Sequence, residues 1–217
     1  MLKYPFLLLS ILVFTSCSGK PVTNEETKEA PAEEAIQVTH KLDTAYFAGG
    51  CFWCVEASFE QIKGVEEAIS GYSGGTQENP TYKEVSYGKT DHAEAVMVLY
   101  NPELISYETL LDIFFTAHDP TQLNRQGPDV GEQYRSAIFY RNPSEKQAAE
   151  QKINSLAGNF DKKIVTVLTE FSTFYKAEDY HQDYEKKNPD DRYIVNVSKP
   201  KIEKVAEKFS HLLKDKE

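Results

Sequence analysis

Residues 49–60, GGCFWCVEASFE, decide how this chain reads. Cys51 and Cys54 stand three positions apart behind a glycine pair, with Phe52 and Trp53 between them. Upstream, DTAYFAGG (43–50) reads as a short strand ending in glycine. Downstream, Phe52, Val55, Phe59 and Ile62 recur at helical spacing until Gly64 stops them. Cys51 is therefore expected where a strand hands over to a helix. Unpaired N–H groups and the positive end of the helix dipole favour a thiolate there, so Cys51 is expected to be reactive at neutral pH. Cys54 follows one turn later on the same face, within reach as a redox partner. The residue types also allow half of a zinc site or two core thiols. A structural zinc takes four ligands, and His40, His92, His118, His181 and His211 show no finger spacing around the single Cys-x-x-Cys. No metal is expected.

Working outward, VEEAISGYSGG (65–75) and HAEAVMVLY (92–100) read as strands, the second by alternation and its valines. Ser106 caps a helix whose Tyr107, Leu110, Leu111, Phe114 and Phe115 form an apolar stripe, ended at Asp119-Pro120. The polar segment DPTQLNRQGPDVGEQY (119–134) reads as a long loop, and such loops inside compact domains are usually functional or mobile. RSAIFY (135–140) is a strand, Asn142-Pro143 with Glu145 opens a helix that Gly158 ends, and KKIVTVL (162–168) is a further strand. AEDYHQDYEKK (177–187) reads as a short helical stretch. Ile202, Val205, Ala206, Phe209, Leu212 and Leu213 mark an amphipathic C-terminal helix within 199–217. Strands alternating with helices argue for one α/β domain over 41–198, with a sheet covered by helices. At 217 residues and 40% hydrophobic content the chain can bury one good core. A net charge of -10 argues against sequence-independent nucleic-acid binding, which needs clustered cations.

The first seventeen residues, MLKYPFLLLSILVFTSC, stand apart. Lys3 precedes an apolar run, Phe6 to Phe14, too short to span a bilayer. Thr15 and Ser16 then put small residues before Cys17, as at a cleavage site. This resembles the lipobox of bacterial lipoproteins, with Phe14 bulkier than the usual leucine. Cys17 is thus expected to carry lipid and to anchor the chain to a membrane of the bacterial cell envelope; a plain secretory signal is the other reading. Residues 18–40 hold five glutamates and two prolines and read as a disordered acidic tether. With Cys17 acylated, only Cys51 and Cys54 remain.

GGCFWCVEASFE together with GYSGG, NPTYKEV, HAEAV, DPTQLNRQGPDVGEQYRSAI and YHQDYEKKNP resembles the peptide methionine sulfoxide reductases of the A type, in family order from about Ala45 to Pro189. The resemblance implies a two-layer α+β sandwich with a ferredoxin-like core and a mixed sheet. It implies a monomeric enzyme without cofactor that repairs oxidised proteins or peptides by reducing the S epimer of methionine sulfoxide, each epimer having its own reductase. By motif, Cys51 is the nucleophile and becomes a sulfenic acid. Glu94 is the proton donor; alternation places it on one strand face with Val96 and Val98, an apolar side that favours the neutral acid. Tyr82 and Tyr134 match the tyrosines that hold the sulfoxide oxygen, Phe52 and Trp53 the pocket for the methyl group, and Asp129 a supporting acid. Many family members carry glycine where this chain has Cys54, and place recycling cysteines after KNP. KNPDDRYIVNV (187–197) has none. The resemblance therefore assigns the resolving role to Cys54, with a Cys51–Cys54 disulfide reduced by a thioredoxin-type donor. A thioredoxin-like disulfide exchanger would use the same dithiol without Glu94, and a surface-anchored binding protein would need neither cysteine.

Overall fold

The structure is a computed structural model that describes residues 41–215; Cys17 and the acidic 18–40 stretch lie outside the described residues. Strand β1 (Asp43–Gly49) ends in the glycine pair, and α1 (Phe52–Glu60) starts directly behind Cys51. β2 (Val65–Ser73), a short α2 (Tyr82–Ser86), β3 (Ala93–Tyr100) and α3 (Tyr107–Ala117) follow. The 119–134 segment contains a small hairpin, β4 (Arg125–Gln126) with β5 (Asp129–Val130), and a 3₁₀ turn, Glu132–Tyr134. Then come β6 (Ser136–Tyr140), α4 (Pro143–Leu156), β7 (Val167–Glu170), β8 (Phe174–Lys176) and α5 (Tyr184–Lys187). A π-helical turn, Ile194–Ser198, runs into α6 (Lys199–Lys208).

The main sheet has the order β7-β6-β1-β3-β2-β8. Its inner four strands, β6-β1-β3-β2, are antiparallel neighbours linked through α1 and α3. That is the split βαβ, ferredoxin-like arrangement. β7 lies parallel to β6 across the α4 crossover, and β8 pairs antiparallel with β2, so the sheet is mixed. α1 and α3 cover one face, where Phe47 stacks between Phe59 and Phe114 at ring distances of 5.3 and 5.0 Å. On the other face a smaller cluster of Tyr46, Ala48, Ala95, Ala137 and Phe139 is covered by Phe171 and Phe174. Coverage on both faces explains why AYFAG is apolar throughout instead of alternating. Truncating Phe47, fully buried between two rings, would cost about 3–5 kcal/mol.

Several elements differ from the sequence reading. The 119–134 segment is ordered by its hairpin, and Asp119 accepts from Thr121 and Gln122 side chains while exchanging backbone bonds with Gln126. The KKIVTVL strand begins only at Val167, because Val165 N–H donates to the Pro120 carbonyl (2.8 Å) and not to β6. α2 and β8 were not expected; α2 is five residues long and rests on a capping box between Thr81 and Glu84. The C-terminal helix stops at Lys208, after which Leu213 forms a bridge with Ile62 beyond α1. α6 packs on both α1 and α3. No helix of the described residues is long and apolar enough to cross a membrane.

Candidate active site

The glycine pair exists to make a corner. Gly50 has φ +90°, and a Cβ there would lie 2.5 Å from Gln126 Cβ, so any other residue is both strained and in collision. Gln126 is itself fixed by both ends of its amide, which donate to and accept from the Asp119 backbone at 3.0 and 3.1 Å. The corner delivers Cys51 to the N-cap of α1, where its carbonyl accepts from Cys54 N–H at 3.2 Å. Cys51 and Cys54 are free, buried thiols, 5% and 1% exposed.

β3 runs beside β1 with Val96 opposite Phe47, which carries Glu94 to the level of the glycine corner. There Phe52 N–H donates to Glu94 Oε2 at 3.2 Å. Glu94 is 2% exposed. Burial first, with the Asp129 and Cys54 charges adding to it, raises its carboxyl to about 8 against the Phe52 bond. The acid is therefore neutral at pH 7, and able to give a proton.

Around these two groups closes a cleft of about 170 Å³, whose walls include Cys51, Phe52, Trp53 and Glu94. Tyr82, at the start of α2, and Tyr134, on the 3₁₀ turn, add their phenols to the same cleft. Burial, then the Glu94 charge, lifts both phenols, Tyr82 to about 12, so both stay donors. Two phenol donors lining one small cleft can hold an oxygen that gathers negative charge. Tyr82 is placed by Glu178, whose carboxylate accepts from Tyr82 N–H and from Tyr72 O–H, each at 2.9 Å. Phe52 stacks with Tyr82 (6.3 Å), while Trp53 stacks on Tyr184 (3.9 Å) and donates its indole N–H to His181 Nδ1 at 3.2 Å.

All the residues expected in the pocket thus meet in one cleft. Cys54 lies behind it, with its sulfur 3.0 Å from the Ser198 hydroxyl. Tyr193 also lines the cleft, and the sequence reading missed it. Its hydroxyl donates to Asp129 Oδ2 at 2.5 Å and interacts with the Cys51 sulfur. The only signal in sequence was one aromatic inside the polar run DDRY. His181, buried and stacked against Phe52 and Tyr82, was likewise read as part of a motif and not as a support for Trp53.

The expected thiolate at Cys51 needs correction. Burial, the hydrogen bond and charge of Cys54, and the Glu94 charge push the Cys51 thiol well up, beyond what a Tyr193 bond offsets. The start of a nine-residue helix does not overcome these. Cys54 moves the other way, down to about 7: the bond from Cys51 leads, and the Lys201 charge and Ser198 hydroxyl help against burial and Asp129. The two shifts favour the proton on Cys51 in the resting pair.

One trio of carboxylates among the described residues, Glu56, Glu60 and Asp183, approaches metal-ligand spacing. Lys186 sits on Glu60 (2.5 Å) and Asp183 (3.1 Å), and Glu56 accepts from Ser70 O–H and Asp183 N–H. These contacts make it a junction tying α1 to β2 and α5.

A sequence profile described as "Peptide methionine sulfoxide reductase" matches residues 43–213. The peptide methionine sulfoxide reductase MsrA of Pasteurella multocida is 58% identical over 170 residues, covering 78% of this chain and 98% of that protein. The MsrA of Natronomonas pharaonis is 54% identical over 169 residues, covering 77% and 95%. Among solved structures, reduced Mxr1 from Saccharomyces cerevisiae superposes with TM-score 0.66 at 36% identity, covering 69% of this chain and 87% of that one. Methionine sulfoxide reductase A of Corynebacterium diphtheriae gives 0.63 at 37% identity, covering 68% and 76%. A profile matched almost from β1 to the last turn, and relatives this similar over nearly their whole length, settle the affiliation: this chain belongs to the peptide methionine sulfoxide reductase A family.

Proposed function

We propose that this chain reduces the S epimer of methionine sulfoxide, free or within oxidised proteins, to methionine. The observation that carries the reading is Glu94, a buried acid without a cationic partner, facing Cys51 across a cleft that also holds two protonated tyrosines. Phe52 and Trp53 offer aromatic faces to the methyl and thioether sulfur. The Tyr82 and Tyr134 hydroxyls take the sulfoxide oxygen. The Cys51 proton passes to Cys54, and the Cys51 sulfur attacks the sulfoxide sulfur. Glu94 gives its proton to the oxygen, which transfers to Cys51. The products are a Cys51 sulfenic acid, methionine and a Glu94 carboxylate, with charge conserved. Cys54 then attacks the Cys51 sulfur, water leaves, and a disulfide remains for a thioredoxin-type dithiol to reduce.

We further propose that the enzyme acts as a membrane-anchored monomer of the bacterial cell envelope, held by lipid on Cys17. The apolar run and small residues ahead of that cysteine support this. The test of the reaction is consumption of each epimer of a methionine sulfoxide peptide with dithiothreitol as reductant. The wild type should consume one epimer and Cys51→Ser neither. Equal activity in that variant would overturn the mechanism, and disulfide exchange without sulfoxide consumption would favour a thioredoxin-like exchanger.

A further inference from the structure

The C-terminal helix brings an unpaired cation to the resolving cysteine. Ser198 is fully buried with its hydroxyl 3.0 Å from Cys54 Sγ. Lys201 lies three residues on, on the same side of α6, and its ammonium nitrogen is buried with no hydrogen-bond partner. An ammonium without a carboxylate or carbonyl to receive its protons is costly to bury, unless a negative charge forms nearby. The groups whose charges act on Cys54 are Lys201 from α6, Cys51 from its own helix start and Asp129 from β5. Glu94 from β3 and Tyr193 from the turn before α6 also couple to it. Of these only Lys201 is positive. His118, which also feels Lys201, is buried and held near 4, so it stays neutral.

We propose that Lys201 is the positioning residue that favours the Cys54 thiolate when Cys54, after taking the Cys51 proton, must release it again to attack the Cys51 sulfenic acid. The oxidation state of Cys51 gives this its force. In the resting pair the Cys51 S–H supplies the main hydrogen bond to the Cys54 sulfur. Once Cys51 is a sulfenic acid that S–H is gone, and Lys201 with Ser198 remains to favour the anion. In the step itself the Cys54–Cys51 S–S bond forms and the S–O bond breaks. The oxygen leaves as water with the proton that Cys54 released. The inference rests on the resolving role given to Cys54 above.

The test is the pH dependence of disulfide formation in the full chain, followed by quenched thiol counts after one turnover without reductant. Lys201→Met keeps the buried stem and removes the charge. A thiolate made more basic by about one unit is scarcer at low pH but a better nucleophile when formed, with a Brønsted slope of about 0.4–0.5. Lys201→Met should therefore be about 3-fold slower than wild type at pH 6 and about 2–3-fold faster at pH 9, the two profiles crossing between. Lys201→Arg should follow the wild type. Coincident profiles, or a Lys201→Met rate reduced by one factor at every pH, would overturn the proposal. A second arm is independent of sulfoxide chemistry. Thiolate absorbance of Cys54, titrated with Cys17 and Cys51 replaced by serine, should shift upward when Lys201→Met is added. No shift there would overturn the pairing, whereas failure to produce methionine in the first arm would count against the enzymatic function alone.

Discussion

One turn of helix α1 separates two sulfurs whose surroundings are opposite. Cys51 opens onto a cleft of aromatic rings and a buried carboxyl from β3, with no cation within it. Cys54 lies against the Ser198 hydroxyl of the C-terminal segment and feels the Lys201 charge. Burial alone would keep both protonated. What separates them is the element behind each: a strand that brings an acid, and a helix that brings a base's conjugate cation. The comparison teaches that reactivity in a Cys-x-x-Cys is set less by its place at a helix start than by which tertiary neighbours reach each sulfur.

The comparison is broken most completely by removing the second sulfur. Cys54→Ser should still yield one methionine per chain in a single-turnover assay while thioredoxin-driven cycling is lost; normal cycling would remove Cys54 from the resolving role. Glu94→Gln keeps the shape of the acid and its bond from Phe52 but not its proton. The one-turnover rate should fall about 10²–10⁴-fold, the usual worth of a positioned proton donor. The same acid predicts a pH limb. Glu94 is protonated below about 8, so the wild-type rate should decline as pH rises through that value, and Glu94→Gln should lack the decline. A limb that persists in the variant would belong to another group. Tyr193→Phe, the mildest change, deletes one hydroxyl between Asp129 and Cys51. Loss of one hydrogen bond predicts about a 2- to 10-fold slower sulfoxide step with Cys54 chemistry unaffected, and an equal loss in both steps would mean that Tyr193 supports the whole corner.

Much of this arrangement could be read from residues. The glycine corner, the stripes of α1 and α3, and the alternation of β3 place the inner sheet and put Glu94 on a buried face. The meeting of Cys51 with Glu94 joins positions 43 apart, which periodicity cannot show; it came from the motifs. The misses have physical causes. α2, at five residues, is too short to leave a 3.6-residue rhythm and forms because Thr81 and Glu84 cap each other. β8 is a three-residue edge strand, held by pairing with β2. Tyr193 reaches the cleft because the chain takes a π-helical turn just after it, a local irregularity without a sequence signature. The charge on the sulfurs was misread because helix position was weighed without the burial of Cys51 or the distant Lys201.

β1 has its start at the end of the sheet remote from Cys51, seven strand residues or about 23 Å away. It is paired on both sides, and Arg141 clamps Asp43 and Thr44 at that entry, with bonds of 2.5 and 2.9 Å. A pull applied through the chain ahead of Lys41 therefore loads an inner strand in shear, sharing the strain among two hydrogen-bond ladders and a guanidinium latch. Mechanical stress arriving from that direction meets these ladders and the Arg141 clamp before it reaches the corner that holds Cys51.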